Sequence, residues 1–412
     1  MNAADTGFIM ICAALVFLMT PGLAFFYGGL ERRKNVVNTM MACAFIMGLV
    51  IVEWVAIGYS LAFGTNEGGL NQVIGNFTNV FFNGISMDDI NGTIPTYVFA
   101  MFQAMFCMIT CALITGSVAG RMKFKALFFF ILLWQIVVYY PLAHMVWGGG
   151  FLGTGYLDSV DFAGGNVVHI SSGVSGLVLA KLIGRRLGVD SGAYRVHNIP
   201  FVFLGAGLLW FGWFGFNAGS ALAANGLAGH AFATTAIASA SAMLSWMLID
   251  VIKDGKPTLV GASTGLVVGL IAITPGAGFV TIWSSFIIGA LVSPICYFTM
   301  GFVKGKLKID DALDAFGCHG IGGIWGGIAT GIFANETVNG YSGLIYGDVH
   351  QFLMQVLSII ITIAVAVVGT LICAGLVRIF TPLRAESKEE LVGMDASQHG
   401  ESAYPAFNGL DS

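Results

Sequence analysis

Two histidines lie in apolar, glycine-rich stretches of the sequence and are the side chains best suited to handle a substrate. They are His169 in "DFAGGNVVHISSG" and His319 in "DAFGCHGIGG". Each stretch begins with an aspartate, Asp161 in the first and Asp314 in the second, and each has the apolar character of a membrane helix. Ionisable groups inside a membrane are costly and usually mark a substrate or ion pathway. The alternative is structural, with each imidazole hydrogen-bonded to a neighbouring helix.

Paired histidines can also bind haem or a metal ion. The glycines that flank both histidines would bring their helices too close for a porphyrin, and no second pair of this kind is evident. Two neutral imidazoles alone lack the further ligands that a transition metal takes. We therefore expect no cofactor and no metal. Because an imidazole can accept or donate through either nitrogen, the pair favours a small, weakly basic substrate that crosses as a neutral molecule.

The composition places these histidines in a membrane. Of the 412 residues, 57% are hydrophobic and only 10% are charged, and water alone cannot solvate so apolar a chain. Apolar runs of about 18 residues or more, the length that crosses a bilayer, can be counted along the sequence. The count predicts an all-α polytopic membrane protein with eleven transmembrane helices. The runs lie near 7–29, 36–63, 95–118, 126–148, 164–184, 199–219, 230–252, 257–276, 279–303, 312–334 and 352–378.

The positive charges predict the orientation of these spans. All 18 Lys and Arg residues fall in or beside alternate connections, and the opposite loops, including 64–94 and 335–351, carry none. Because cytoplasmic loops are enriched in Lys and Arg, we expect the N-terminus outside and the C-terminus in the cytoplasm. Met1–Thr6 is too short for the charged segment of a signal peptide, so we expect none to be removed. The basic connections are 31–34, 121–125, 181–195, 253–256, 304–308 and the C-terminal stretch from Arg378.

The predicted spans divide into two blocks of five (spans 1–5 and 6–10) and an eleventh helix. His169 is in the fifth span and His319 in the tenth, so the two histidines hold matching positions in the blocks. An odd number of spans in each block makes the blocks run in opposite directions, as in transporters built from inverted repeats. Glycines share one helical face with each histidine. We therefore expect the imidazoles to face one another near the middle of the membrane.

Aromatic and polar side chains lie at the outer ends of the third, fourth and sixth predicted spans. An aromatic face attracts a cation by about 0.5–2 kcal/mol, and a hydroxyl oxygen adds a hydrogen-bond acceptor. For any one of these residues the alternative is an aromatic belt at the membrane interface. Their shared depth favours a binding site at the outer mouth. The residues are Phe102, Gln103 and Phe106, then Trp147, then Phe216, Asn217 and Ser220.

The rest of the sequence offers few groups for other chemistry. The seven cysteines lie inside predicted spans without a CxxC pair, as small apolar side chains do. Glu53 lies inside the second span, where we expect a structural role with a hydrogen-bond partner. The polar segment 381–412 cannot bury a core alone, as is typical of a disordered tail. No nucleophile with a nearby base and no nucleotide-binding loop is evident, so we expect no enzyme and no nucleic-acid partner.

Several motifs, from the first span to the tail, resemble one known family. They resemble the ammonium transporters of the Amt/Mep/Rh superfamily, above all its bacterial Amt branch. Because these motifs occur in the same order over almost the whole chain, the resemblance is specific. The motifs are "GLAFFYGGLERRKN", "GYSLAFG", "RMKF", "YPLAHMVWGGG", "DFAGGNVVHISSG", "LLWFGWFGFNAGSALAAN", "FGCHGIGGIWGG" and "HGESAY".

The resemblance implies a homotrimer in the cytoplasmic membrane with one narrow, hydrophobic pore in each subunit. By position in the matching motifs, Phe106, Trp147 and Ser220 would recruit ammonium at the outer face. Phe106 and Phe216 would be stacked beneath that site as a gate. The substrate would be ammonium, with methylammonium as its analogue, and it would lose a proton before it crosses.

The same resemblance implies roles for five further residues. His169 and His319 would be twin histidines that line the pore. Asp161 would support recruitment and local structure without touching the cation. Trp213 and Tyr27 match positions close to the pathway. Whether the proton is carried through separately, which makes transport electrogenic, or is returned outside is left open by the residues.

The resemblance also implies a division of the chain at the end of the last span. Residues 1–380 would be the membrane domain, and 381–412 would be a cytoplasmic regulatory tail that docks under the helices. Such a tail would couple the transporter to a PII-type signalling protein. An ammonium sensor with little flux is the alternative function. Sensors of the family usually carry a fused signalling domain, so a tail of about thirty residues favours transport.

Overall fold

The computed structural model describes residues 1–153, 155–189 and 196–404. Arg195 of the predicted basic connection and residues 405–412 of the predicted tail lie outside these ranges. The described chain is helical apart from its loops and one antiparallel hairpin, β1 (Ile90–Asn91) with β2 (Ile94–Pro95). All seven cysteines are buried and free.

The principal helices follow the predicted spans in order. They are α1 (Ala3–Leu30), α2 (Arg33–Phe63), α3 (Thr96–Val118), α4 (Phe124–Trp147), α5 (Gly165–Ile183), α6 (Ile199–Gly219), α7 (Gly226–Asp254), α8 (Leu259–Ile273), α9 (Ile282–Gly305), α10 (316–333) and α11 (Val349–Phe380). Two short helices follow in the tail, α12 (Ser387–Val392) and α13 (Met394–His399). Loop helices occupy Gly68–Gln72, Val80–Phe82, Glu336–Asn339 and Leu344–Tyr346.

Within the described ranges, nine helices are long and apolar enough to cross a membrane. The eighth and tenth predicted spans contain the shorter helices α8 and α10. The span predicted over 257–276 is shortened because residues 274–278 fold into turns. The span predicted over 312–334 begins later because the chain before residue 316 is a loop. The topology of eleven spans, its inverted repeat and its orientation therefore stay predictions.

Short polar side chains begin several helices, as helix-capping preferences require. The Asn2 side chain accepts hydrogen bonds from the first N–H groups of α1, and Asn225 and Thr258 do the same for α7 and α8. Gly255 ends α7 in the left-handed conformation, which a residue without a Cβ adopts easily. These caps define helix ends that hydrophobicity alone leaves vague.

Four π-helical turns interrupt the regular hydrogen bonding of the principal helices. They are Trp54–Gly58 in α2, Gln135–Tyr139 in α4, Gly165–Ile170 in α5 and Phe316–Gly320 in α10. Such turns are rare and occur frequently at functional sites. The turns in α5 and α10 contain His169 and His319.

Glycines allow pairs of helices to pack backbone against backbone. A Cβ added to Gly205 of α6 would overlap the backbone of Phe26 in α1. A Cβ added to Gly173 of α5 would likewise overlap the backbone of Gly320 in α10. Small residues at helix crossings permit this close approach in membrane proteins. The crossing of α5 and α10 sets the distance between the two histidines.

The tail packs against the beginning of α2. Lys34 Nζ donates a hydrogen bond to the carbonyl oxygen of Glu390 at 2.8 Å. The N–H of Asn38 donates to Asp395 Oδ1, also at 2.8 Å. Residues 381–404 therefore fold against the helices instead of extending away from them, and the polar tail gains its order from the membrane domain.

A buried cluster of charges joins four loops at the same end of the helices as the tail. The Arg186 guanidinium binds both carboxylate oxygens of Asp310 at 2.9 Å and approaches Glu31 at 3.5 Å. Arg121 Nη1 lies 3.9 Å from Asp310. Burial alone would raise the pKa of the Asp310 carboxyl, but its contacts with Arg186 and Arg121 outweigh burial and lower that pKa to about 2. Asp310 therefore stabilises the fold as a carboxylate.

Replacement of Asp310 by Asn should lower the free energy of unfolding by roughly 3–5 kcal/mol, because it removes the negative charge that faces two buried arginines. Thermal unfolding of the purified protein in detergent measures the loss. Because the folded pKa is depressed, the contribution of Asp310 is complete above its usual pKa and disappears as pH falls through about 2. Glu67→Gln, which changes an exposed acid, is the control. Equal unfolding temperatures for the two variants would contradict the assignment.

Candidate functional site

A cavity of about 470 Å³ opens where the ends of α2, α3, α4 and α6 meet. We call it the vestibule. Its wall includes the three residues predicted to recruit a cation, Phe106, Trp147 and Ser220. The lining also contains Gln103, which was predicted at the outer mouth on residue type. The remaining lining residues are Tyr59, Phe63, Asn91, Phe99, Val146, Gly148, Phe162 and Leu222.

Aromatic rings form the floor of the vestibule. The ring of Phe106 lies edge-on to Trp147, with 6.0 Å between ring centroids. Phe106 and Phe216 are closer, at 4.2 Å and an interplanar angle of 33°. Both phenylalanine side chains are buried. The two rings therefore separate the vestibule from the helix interior, which is the position expected of the predicted gate.

His169 lies directly beyond this floor. Its ring stacks on Phe216 with 6.2 Å between centroids, and on Trp213 with 5.3 Å and an angle of 20°. Trp213 is itself held by a hydrogen bond from its Nε1 to the hydroxyl oxygen of Thr274 at 2.9 Å. Trp213 therefore lies beside the predicted pathway and fixes one face of the imidazole.

The two predicted histidines contact each other. His319 Nδ1 lies 3.3 Å from His169 Nδ1, and their rings are stacked at 5.3 Å and 26°. Both residues are buried. Because the contact joins two like nitrogens, one Nδ1 must carry hydrogen and the other must accept it. His169 Nε2 is buried without a hydrogen-bond partner among the described residues, so this nitrogen can bind a small molecule.

Asp161 organises the start of α5. Its carboxylate accepts hydrogen bonds from the N–H groups of Gly164, Gly165 and Asn166, at 2.8, 2.6 and 2.7 Å. Its backbone carbonyl accepts a further bond from Trp147 Nε1 at 2.9 Å. Burial raises the pKa of Asp161, and the bonds from the backbone N–H groups oppose that rise. Asp161 therefore connects the vestibule wall to the π-helical turn that carries His169.

The matching residue before His319 is Asp311, not the Asp314 paired with Asp161 from the sequence. Asp311 Oδ2 accepts from the N–H groups of Phe316 and Gly317 at 2.9 and 3.2 Å. Asp314 instead forms a part-exposed ion pair with Lys304 at 2.6 Å. The spacing contained the missed signal, because each capping aspartate precedes its histidine by eight positions.

Ser220 and Tyr27 occupy different surroundings from the histidines. The Ser220 hydroxyl donates to the carbonyl oxygen of Phe216 at 2.8 Å, which leaves its oxygen free to accept in the vestibule. The Tyr27 hydroxyl donates to the carbonyl oxygen of Leu113 at 3.2 Å, and its ring packs on Gly116. Tyr27 is thus a buried wall residue between α1 and α3.

A second cavity, of about 180 Å³, lies toward the end of the helices that carries the tail. Cys318, the neighbour of His319, is in its wall. The Lys304–Asp314 ion pair lies at the same cavity. The remaining lining residues are Phe26, Leu30, Val196, Val260, Thr264, Ala312 and Leu313. The histidine pair therefore lies between a vestibule and a second opening.

Known proteins resemble this chain over almost its whole length. The model of the Ammonium Transporter Family matches residues 7–404. The chain belongs to the ammonium transporter family. It is 48% identical to an ammonium transporter of Bacillus subtilis over 408 residues, covering 98% of this chain and 99% of the relative. It is 44% identical to ammonium transporter Amt1 of Archaeoglobus fulgidus, over 98% of this chain and all of the relative.

Solved structures of the family share the fold. Saccharomyces cerevisiae Mep2 is similar with a TM-score of 0.82 and 36% identity, covering 90% of this chain and 85% of Mep2. A structure described as a sensor Amt protein is similar with a TM-score of 0.88 and 27% identity, covering 96% of this chain and 98% of that one. This ammonium transporter family member is therefore a multi-pass membrane protein whose relatives are named as transporters and not as enzymes.

Three matched substitutions test the roles of the aspartates in this family member. Asp161→Asn and Asp311→Asn should each lower the free energy of unfolding by roughly 1–3 kcal/mol, because an amide NH₂ replaces an oxygen that accepts from buried N–H groups. Asp314→Asn should cost less than about 1 kcal/mol, since it removes only a part-exposed ion pair. Thermal unfolding in detergent compares them. If Asp311→Asn left the free energy of unfolding unchanged, or if Asp314→Asn lowered it by as much, Asp311 would not be the counterpart of Asp161.

Proposed function

We propose that this protein transports ammonium across the cytoplasmic membrane. One observation carries the proposal: an unbroken series of rings leads from the vestibule, through Trp147, Phe106 and Phe216, to the contacting imidazoles. The family relationship supplies the substrate, because the relatives from Bacillus subtilis and Archaeoglobus fulgidus are named ammonium transporters.

In this proposal the vestibule recruits the cation. The faces of Phe106 and Trp147 offer cation–π attraction, and the Ser220 oxygen, which already donates its hydrogen to Phe216, accepts a hydrogen bond from ammonium. Asp161 acts indirectly, because its backbone carbonyl accepts a hydrogen bond that holds the Trp147 indole in the vestibule wall. These contacts bind a small cation before it reaches the apolar floor.

Passage through the floor requires the loss of a proton. The rings of Phe106 and Phe216 offer no oxygen or nitrogen that could replace the water around an ion, so the charged form is penalised. Ammonium can release a proton and continue as ammonia, whereas potassium has no neutral form. Beyond the gate, His169 and His319 provide hydrogen bonds to the neutral molecule. Selectivity thus follows from chemistry and does not require a cavity fitted to ion size.

The wider family features belong to the same proposal. We propose a homotrimer with N-terminus outside, C-terminus inside and eleven membrane helices in an inverted repeat. Residues 381–412 would be a cytoplasmic regulatory tail, and a PII-type protein would bind near the tail at the second opening. The docking of residues 381–404 on α2 supports a tail that senses or affects the membrane domain.

An ammonium sensor is a second candidate function. The resemblance to a structure described as a sensor Amt protein favours it, because that resemblance covers 96% of this chain. A sensor and a transporter would share the vestibule and differ in flux. Flux measured on the purified protein in liposomes separates the two functions.

Purified protein in liposomes should produce ammonium-dependent currents or internal pH changes, recorded on a supported membrane and with a quenched dye. A current with each ammonium pulse identifies electrogenic transport, and an internal pH rise without current identifies net ammonia conduction. Methylammonium should act as a weaker substrate, and empty liposomes are the control. Binding without either signal would favour the sensor.

Replacement of His169 by Asp or Ala should weaken discrimination between ammonium and potassium, because the polar contact that follows the gate is lost or becomes charged. Potassium-dependent currents in the same liposomes measure this. His350→Ala, which removes an exposed histidine at the start of α11, is the matched control. Full selectivity and rate in the His169 variants would show that the histidine pair does not line the pathway.

Replacement of Trp147 by Leu should raise the half-saturating ammonium concentration by roughly two- to thirty-fold, which corresponds to a lost cation–π contact of about 0.5–2 kcal/mol. Trp147→Phe keeps an aromatic face and loses only the bond to Asp161, so its half-saturation should change less. Concentration series of the transport current give both values. Equal half-saturating concentrations in the two variants would show that the Trp147 ring takes no part in recruitment.

A further inference from the structure

A buried polar network joins α2, α3 and α4 and has no part in the proposed pathway. At its centre is Glu53, which is only 6% exposed. Gln135 Nε2 donates a hydrogen bond to Glu53 Oε2 at 2.8 Å, which provides the partner predicted for this acid. The other oxygen, Glu53 Oε1, is buried without a hydrogen-bond partner among the described residues. One half of the carboxyl group is therefore unsatisfied.

The orientation of Gln135 is fixed by its other contacts. Its Oε1 accepts from the Tyr140 hydroxyl at 3.3 Å and from Cys107 Sγ at 3.4 Å. Its amide nitrogen therefore points to Glu53, and it also donates to the carbonyl oxygen of Ile131 at 3.4 Å. Glu53 thus meets the neutral dipole of an amide and not a cation.

The groups that face Glu53 give it no compensating charge. The titratable neighbours are Cys107 of α3 and Tyr140 of α4, and both are neutral groups when protonated. No Lys, Arg or His of the described ranges forms an ion pair with Glu53. A buried carboxylate that meets only the neutral Gln135 amide and the neutral Tyr140 hydroxyl is expensive, whereas a carboxylic acid at the same place is not charged. The contacts favour the acid form.

The network adjoins the vestibule and two π-helical turns. Cys107 follows the vestibule residue Gln103 by about one helical turn and is the next residue after the gate ring Phe106. Glu53 directly precedes the π-helical turn Trp54–Gly58, and Gln135 begins the turn Gln135–Tyr139. Turns of this kind occur frequently at functional sites. The network is therefore joined, through Gln135 and Cys107, to the segment of α3 that lines the vestibule.

We propose that Glu53 is a proton-binding site inside the membrane domain, with the proton on Oε1 and exchange with water from the vestibule. Gln135 holds the acid in place through Oε2. Binding forms the Oε1–H bond and release returns the proton to water, so no other reactant is needed. The site is separate from the histidine pair and does not depend on whether ammonium crosses the pore.

Infrared difference spectroscopy on the full chain in lipid tests this site directly. The wild type should show the C=O stretch of a protonated carboxylic acid, which shifts in deuterated water and weakens as pH rises. Glu53→Gln keeps an acceptor for the Gln135 amide but cannot hold the proton, so its spectrum should lack that band. Glu67→Gln, which alters an exposed acid, should retain it. The same band in wild type and Glu53→Gln would overturn the proposal.

Labelling of the wild-type protein keeps the test decisive if Glu53→Gln does not fold. A hydrophobic carbodiimide reacts with a carboxylic acid, whose proton moves to a carbodiimide nitrogen while its oxygen bonds to the central carbon. Peptide mass spectrometry should find the adduct on Glu53, with less at alkaline pH. Glu31 is equally buried but paired with Arg186, so it should remain unlabelled. Absence of an adduct on Glu53 at every pH would contradict the proton site.

Discussion

The contact between His169 and His319 is the constraint on which the rest of the structure depends. Two imidazoles can approach to 3.3 Å through like nitrogens only if one donates and the other accepts, and only if their helices cross closely. Gly173 and Gly320 provide that crossing because no side chain separates the backbones of α5 and α10. The contact between the imidazoles thus requires the small residues where the two helices cross.

An aspartate fixes the start of each of these two helices. Asp161 and Asp311 accept hydrogen bonds from the first N–H groups and so hold the π-helical turns that carry the histidines. A rare helical geometry needs such support, because its hydrogen bonds are not those of the regular helix. The aspartates therefore position the two histidines through the backbone of these turns.

The sequence predicted the features that depend on residue type and long-range pattern. Long apolar runs indicated the helices, and the repeated histidine stretches indicated a pair that the structure brings into contact. It placed the ends of α8 and α10 less well, because α8 stops at Ile273 before the turns over 274–278 and α10 begins only at residue 316. Asp311 was missed because Asp161 was paired with Asp314, the aspartate nearest to His319 in the sequence, and the spacing of eight residues was not compared. The partners of Glu53 could not be predicted, since Gln135 is far away in the chain and approaches only when α2 packs on α4.

The glycine crossing of α5 and α10 also limits how the protein can work. A methyl group does not fit between Gly173 and Gly320, so the backbones of α5 and α10 are already in contact at this level. These two helices can approach no further, and a larger side chain at Gly173 would push them, and with them the two imidazoles, apart. In the proposed function, the rings of Phe106 and Phe216 are then the part of the pathway that can move while these two helices stay in contact.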